Sequence, residues 1–392
     1  MGGGGTFEGM ARIALNGRLL VPGKLEGIGK FTLRCLQELV RLRPHDEFLL
    51  LVDRPDNELF HLGPNIEVRR IRVPGRRPWL LRWWFGAAMR RVMRQWKAEA
   101  FVSLEGPLVS GMPDDFPQLS VIHDLNFEHH PEWIPVAWAS YYQTEFRACA
   151  HHAHVLCTVS EFSRDDLVAQ YGRPKEDIRL VPNAADDGFQ PLDEAGQHAA
   201  RTRFAEGKKY WVYIGSFHPR KNLQGLLAAY QNYADAGGSW DLVLVGEAMW
   251  QTPEWPQALL ATNRVHTTGR LDEVPLAQAL GGASGMVFVP WFEGFGIPLV
   301  EAMAAGVPVV ASHVTSLPEV GGDAVCAWVD PGNPVAISEA MLHVEAQPEM
   351  RAEHVARGLA RAKAFSWRES GQKLDAAVDD LLQPSRHAQD VA

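Results

Sequence analysis

Short apolar runs alternate with amphipathic helical stretches along nearly the whole chain, and few folds accept that alternation. In the first half, residues 12–15, 48–52, 100–103, 120–122 and 155–159 read as strands, with helical stretches at 29–43, 79–97, 136–152 and 161–171. In the second half, 210–214, 242–245, 286–289 and 307–310 read as strands, each followed by a glycine-bearing loop and a helical pattern. Strands this short and apolar are buried on both faces, as in parallel sheets covered by helices. A chain of 392 residues is too long for one ordinary core and fits two of moderate size. The expected fold class is α/β, with two Rossmann-like domains, 10–185 and 186–366, facing across a cleft. The stretch 182–194, with its Pro, Asp and Gly content, is the natural linker. A last helical stretch, 367–384, carries Trp367, Leu374, Val378, Leu381 and Leu382 at helical spacing and is expected to cross back to the first domain.

Composition narrows the class further. With 46% apolar and 22% charged residues, the chain reads as a soluble globular protein. No apolar run approaches the roughly 18 residues that would span a bilayer. The start, MGGGGTFEG, reads as an expression scar over residues 1–9, with Met10 the expected native start and no secretory signal after it. Cys35, Cys149, Cys157 and Cys326 are scattered, which argues against a disulfide framework or a zinc site and fits a reducing, cytoplasmic compartment. A net charge of −9 argues against nucleic acid as a partner.

Chemistry concentrates in residues 290–305, PWFEGFGIPLVEAMAA. A strand ends at Pro290, a glycine-rich turn follows, and Pro298 sits where a helix would begin, a favoured N1 position. Backbone amides at Gly296 and Ile297, together with the helix dipole, make an anion site. Glu293 lies in the loop and Glu301 about one turn into the helix, so both can face a ligand resting on that helix end. A carboxylate accepts hydrogen bonds from both hydroxyls of a ribose, a role assigned to Glu301; Glu293 would meet the hydroxyls of a transferred sugar. Phe295, between the two glycines, is counted among the donor contacts.

The string E-G-F-G-I-P-L-V-E resembles the E-x7-E signature of glycosyltransferase family 4, a family of retaining enzymes with the two-domain GT-B fold. Further similar strings follow in order: 25–30 (LEGIGK), His123–Asp124, 158–164 (TVSEFSR), 181–183 (VPN), 215–223 (GSFHPRKNL), 315–319 (TSLPE) and 365–367 (FSW). The resemblance implies that the first domain binds the acceptor and the second the nucleotide sugar. It places Arg220 and Lys221 on the donor diphosphate, where Arg offers a planar two-point contact and Lys a point charge. Ser216 stands where many members carry an arginine, and Arg220 is inferred to replace it. His123 is implied to lie against the transferred sugar, with Asp124 available to fix its tautomer. Gly27 and Gly29, read as a loop before the helix, resemble loops that close over the donor phosphates; Lys30 would either add a charge there or be inert.

No two aspartates are spaced D-x-D, so metal-independent transfer is expected, with no cofactor and with cations and helix amides stabilising the leaving diphosphate. The implied mechanism is front-face departure of the nucleoside diphosphate. The PRKN and EGFGIP strings look most like bacterial polysaccharide mannosyltransferases using GDP-mannose, with UDP-glucose and deoxysugar donors left open. A sugar-nucleotide epimerase of the same fold and a non-catalytic nucleotide-sugar-binding partner at the membrane are the alternatives. A dehydrogenase is disfavoured, because neither half carries G-x-G-x-x-G with its downstream acid.

One segment stands apart in charge. Between residues 68 and 98 lie ten basic residues (Arg69, Arg70, Arg72, Arg76, Arg77, Arg82, Arg90, Arg91, Arg94, Lys97) and no acid, which leaves about −19 on the rest of the chain. On a helical wheel Leu81, Trp84, Phe85, Ala88, Met89, Val92 and Trp96 share one face, opposite Arg82, Arg90, Arg94 and Lys97. Arg82, Trp83, Arg90 and Arg94 are therefore candidates for contact with anionic lipid or a polyprenyl-diphosphate-linked saccharide acceptor, which would place the protein peripherally at the inner face of the plasma membrane.

Overall fold

Among the described residues every strand pairing is parallel, which requires each strand to return through a crossover and buries its faces under helices. The computed structural model describes residues 10–21, 23, 25–54, 62–72, 77–247 and 263–383; the expected scar at 1–9, Arg76 and residue 384 lie outside them. The first sheet comprises β1 (Arg12–Asn16), β2 (Glu47–Val52), β3 (Ile66–Arg70), β4 (Ala100–Ser103), β5 (Gln118–Ile122), β6 (Val155–Thr158) and β7 (Ile178–Leu180). The second comprises β8 (Tyr210–Ile214), β9 (Asp241–Val245), β10 (Val265–Gly269), β11 (Gly285–Phe288), β12 (Val309–Ser312) and β13 (Ala327–Val329).

Their orders are β3-β2-β1-β4-β5-β6-β7 and β10-β9-β8-β11-β12-β13, the doubly wound arrangement twice over. In each sheet the order reverses once, between β1 and β4 and between β8 and β11. Ligands of such sheets bind beyond the strand carboxyl ends at that reversal. The four strands that apolar runs do not reveal are β3, β7, β10 and β13. All lie at or next to a sheet edge, and β3 and β10 are largely accessible along their length, so solvent removes the demand for an unbroken apolar run.

The expected single helix at 79–97 is instead three segments: Pro78–Trp83, a π-helical turn at Trp84–Ala88, and Met89–Trp96. Gly86 leaves helical geometry (φ −102°, ψ −110°), and the Phe85 carbonyl accepts from Ser110 N–H at 2.9 Å. A glycine and a diverted carbonyl together account for the kink. Trp84, Phe85, Met89, Met93 and Trp96 still pack on the first sheet.

The helix Trp367–Leu382 lies against the helix Gly27–Leu42 of the first domain. Gly371 permits the approach, since a Cβ there would stand 2.2 Å from Glu38 Cβ. Arg43 ties the pair through an ion pair from its Nε to Asp375 Oδ1 at 2.6 Å. Leu374, Val378 and Leu381 enter an apolar core continuous from Ile13 and Phe31 through Phe189 to Phe288 and Leu299, so both domains share it. Leu374→Ala should therefore lower the stability of the whole chain by about 2–5 kcal/mol through the cavity it leaves, read as a lower urea midpoint.

Candidate active site

The second sheet's reversal point carries a buried cluster of charge. After β8 the chain turns through Gly215 and the single 3-10 turn Pro219–Lys221. Asn222 ends that turn with a left-handed φ of 54°, and its side-chain amide donates to the carbonyls of Val289 (2.9 Å) and Pro331 (2.8 Å). The Arg220 carbonyl accepts from Trp291 N–H at 2.8 Å. The basic turn is thereby fastened to the loop that follows β11, and Arg220 and Lys221 point onto Glu293.

One carboxylate receives both cations. Arg220 Nη1 stands 3.0 Å from Glu293 Oε2, and Lys221 Nζ pairs with Glu293 Oε1. Glu293 and Lys221 are buried, at 6% and 8% exposure, which makes their mutual compensation obligatory. Burial, aided by the positive Arg220, pulls Lys221 below the ordinary lysine range against the pull of Glu293. Thr315 Oγ1 accepts from Glu293 N–H (3.1 Å), and Ser316 Oγ donates to Glu293 C=O (2.9 Å), so the backbone is fixed as firmly as the side chain. The triad carries one net positive charge, a suitable seat for a diphosphate.

Gly296 begins the helix Ile297–Ala304 with φ 92°, and a Cβ there would lie 2.5 Å from Leu317 Cδ2; only glycine meets both demands. Pro298 falls at the second helical position, one residue further in than the sequence suggests, where its missing N–H is equally harmless. Glu301, 3% exposed, faces the first domain and pairs with Lys30 at 2.9 Å. Phe295 differs from its expected role. Its ring packs edge-on against Phe365, centroids 5.3 Å apart, inside the apolar core, so it supports the loop instead of lining the ligand site. Ser216 is half-buried and its carbonyl accepts from Tyr213 Oη at 3.1 Å.

From the first domain, His123 follows β5 and is buried. Its Nε2 lies 2.8 Å from the Leu104 carbonyl, which can only accept; Nε2 therefore carries the proton and Nδ1 is left as acceptor. Asp124 does not set this tautomer, because its carboxylate turns to Asn126 N–H at 3.1 Å. Burial lowers the His123 pKa, keeping the ring neutral. Gly27 and Gly29 lie in the first turn of the helix Gly27–Leu42, not in a loop before it. Gly27 faces Ile297, whose Cδ1 would be 3.5 Å from an added Cβ, and Gly29 packs on the Leu19 carbonyl.

The two domains meet at Gly294. A Cβ there would stand 2.1 Å from the His123 carbonyl oxygen. The Gly294 carbonyl accepts from Ser160 Oγ (2.6 Å) and Ser163 Oγ (3.1 Å) across the cleft. In return, the Glu319 carboxylate accepts from the amides of Glu161 (2.8 Å) and Phe162 (3.0 Å), capping the helix Glu161–Tyr171 from the opposite domain. Sequence strings flagged Ser160, Ser163 and Glu319 without giving them roles. Asn222 carried a signal only in its place after the Arg-Lys pair, and Asp186 carried none.

The cationic segment is less free than its sequence implies. Arg82 pairs with Glu145 at 2.7 Å, and Arg90 Nη1 donates to the carbonyls of Ser110 and Gly111, each at 3.1 Å. Arg94 is exposed, as are Trp83 (46%) and Trp79 (62%). Among the described residues no helix is long and apolar enough to cross a membrane.

Two doubly wound domains with a carboxylate–cation triad at one reversal point and a histidine opposite define a GT-B glycosyltransferase framework. Residues 25–189 match the model described as Glycosyltransferase Family 4 and residues 196–360 that described as Glycosyl transferases group 1. These consecutive matches take in most of the chain, which belongs to this glycosyltransferase family. It is 33% identical over 254 residues to the O-antigen chain mannosyltransferase B of Escherichia coli, covering 64% of this chain and 66% of that protein. It is 30% identical over 193 residues to the MMP alpha-(1->4)-mannosyltransferase of Mycolicibacterium hassiacum, covering 48% and 44%. The matched segments thus span just under two thirds of the first relative and less than half of the second. The sucrose-phosphate synthase of Thermosynechococcus elongatus shares the fold, with a TM-score of 0.79 at 20% identity over 96% of this chain and 100% of that one.

Histidine burial gives the site a pH signature. His218, whose Nδ1 accepts from Arg220 N–H at 3.1 Å, is pushed down to about 4 by burial and by the neighbouring Arg220 and Lys221. An unfolded histidine titrates near 6.5, so between pH 6.5 and 4 the unfolded chain holds a proton that the folded chain rejects. Stability must then fall as pH drops through that window. His218→Asn keeps an acceptor for Arg220 N–H and should flatten the decline, measured as urea midpoints at pH 7, 5.5 and 4.5.

Proposed function

We propose that the chain is a retaining, metal-independent hexosyltransferase that moves mannose from GDP-mannose to a hydroxyl of a saccharide or lipid-linked saccharide during polysaccharide biosynthesis. The observation that carries this reading is Glu293 held by both Arg220 and Lys221 at the reversal point of the second sheet, with His123 on the facing domain. The mannosyltransferase names of the two relatives support the choice of sugar.

In this reading Glu301 accepts the ribose hydroxyls, while Arg220, Lys221 and the helix start at Gly296 and Ile297 take the diphosphate. Glu293 contacts the transferred sugar, and the His123 Nδ1 acceptor faces it from the other side. The bond from the anomeric carbon to the phosphate oxygen breaks on the face where the acceptor oxygen arrives. The new glycosidic bond forms on that face, and the acceptor's proton passes to the departing phosphate. Configuration is retained, and Arg220 and Lys221 stabilise the charge as it grows. Metal independence rests on these two cations supplying the charge that a divalent ion would otherwise bring.

Thermal-shift screening against GDP, UDP, dTDP, ADP and their sugars, with magnesium or EDTA, tests the donor. A ligand selective for the folded state raises apparent stability, by about 2.7 kcal/mol at a hundredfold excess over Kd. GDP and GDP-mannose should stabilise the protein in EDTA, and Lys221→Met should cut kcat/KM by about 100- to 1000-fold. Selective stabilisation by UDP species would overturn the mannose assignment, and an inverted product anomer by NMR would overturn the mechanism.

The exposed Trp79, Trp83 and Arg94 favour peripheral attachment to an anionic, cytoplasmic membrane face. Flotation with phosphatidylglycerol-containing vesicles should recover the protein at low salt and lose it at high salt; salt-independent absence from the vesicle fraction would rule the attachment out.

A further inference from the structure

Lys30 of the first domain reaches the carboxylate of Glu301. Its ammonium lies 2.9 Å from Glu301 Oε1 and 3.0 Å from Asp186 Oδ2, with side-chain exposures of 16%, 4% and 2% for Lys30, Glu301 and Asp186. Burial works against the charge, yet Glu301 and Asp186 outweigh it and hold Lys30 protonated, above the ordinary lysine range.

The two carboxylates depend on Lys30 unequally. Asp186 Oδ1 also accepts from Arg34 Nε (2.8 Å) and Trp367 Nε1 (2.8 Å), so Asp186 stays compensated without the lysine. Glu301 has no second charged partner among the described residues. A carboxylate offers about four lone-pair positions; an ammonium at Oε1 uses one and holds that oxygen toward the first domain. The remaining positions can still accept two neighbouring hydroxyls. An arginine would instead tend to claim both oxygens.

The elements carrying these groups already touch. Gly27 packs against Ile297, and Arg270 Nη2 donates to the Leu25 carbonyl at 2.8 Å. Lys30 sits one turn along the helix that begins at Gly27, and Glu301 one turn along the helix that begins at Ile297. The ion pair forms only when the two helix starts lie together.

We propose that Lys30 is a positioning residue for donor recognition: it orients Glu301 for the two ribose hydroxyls and so makes ribose recognition a property of the closed pair of domains. The proposal rests on the assignment of Glu301 to the ribose. Lys30 acts through Glu301 and not on the phosphates, so its removal weakens only the hydroxyl-dependent part of nucleotide binding.

Calorimetric titration of GDP and 2′,3′-dideoxy-GDP into wild type, Lys30→Met and Lys30→Gln separates the possibilities. Wild type should prefer GDP by about tenfold or more, the scale of hydrogen bonds to a charged group. In both variants the preference should shrink to within about threefold, while affinity for the dideoxy nucleotide stays within threefold of wild type. A preference undiminished in the variants overturns the proposal and leaves Glu301 on the ribose. An equal loss of affinity for both nucleotides also overturns it, placing Lys30 on the phosphates or in domain docking alone. A wild type that binds both nucleotides equally removes the Glu301 assignment and the proposal with it. Should neither variant fold, wild-type scattering decides: GDP must compact the protein more than the dideoxy nucleotide, and equal compaction overturns the proposal.

Discussion

A carboxylate taken out of water must be compensated by charge or by hydrogen bonds, and Glu293 imposes that requirement on everything around it. Arg220 and Lys221 supply the charge, but only because Asn222 bends their turn and locks it to Val289 and Pro331. Thr315 and Ser316 hold the carboxylate's own backbone from a third segment. Three crossover loops of the second sheet are thus committed to one side chain. The sheet's reversal point provides the space, and the buried ions fix the loops that fill it.

The same loop joins the domains. Gly294 brings its backbone against the His123 carbonyl, an approach no side chain would permit, and its own carbonyl is bonded by Ser160 and Ser163. Glu319 completes a reciprocal arrangement by capping a helix of the first domain. A helix start needs acceptors for its first amides wherever it stands. Ser160 accepts from Ser163 N–H within its own domain, but Glu319 of the other domain takes the two preceding amides, so separating the domains leaves these without their partner. Docking, helix capping and placement of Glu293 opposite His123 become one event.

Much of this framework was legible in the sequence, because burial writes itself as apolar periodicity. Central strands such as β1, β6 and β8 announce themselves, and the helices Val136–His152 and Glu161–Tyr171 have the ends their patterns suggest. The edge strands β3 and β10 do not, since solvent on one side tolerates Glu67, Arg69 and His266 there. Charge patterning misled where pairing is long-range. The segment 68–98 contains no acid, yet Arg82 finds Glu145 and the Trp96 indole finds Glu67. The strings around Glu293, Lys221 and His123 marked positions without revealing contacts. Phe295, placed among the ligand contacts by its neighbours, belongs to the core, and Leu104, not Asp124, orients His123. Partners separated by some 20 to 70 residues in the chain leave no local trace.

The cationic segment and the reacting end of the first domain both contact the helix Val136–His152. Arg82 lies over the ring of Tyr141 in this helix, 5.6 Å from its centroid, and Cys149 Sγ of the same helix donates to the Gly106 carbonyl at 3.3 Å, next to Glu105. Arg18 forms a two-point pair with Glu105 (2.9 and 2.8 Å), and Asn16 donates to the same carboxylate at 2.6 Å. Glu105 directly follows Leu104, whose carbonyl holds the His123 ring. A rigid, fully bonded ionic cluster therefore anchors the loop that orients His123, and its far side rests on the helix that Arg82 grips. On the proposed reading, an acceptor held at the membrane-facing helix meets a histidine braced by the same packing, while the donor is gathered by the second domain. The contacts at Gly294 and Glu319 in turn hold the Glu293 loop against the first domain beside His123.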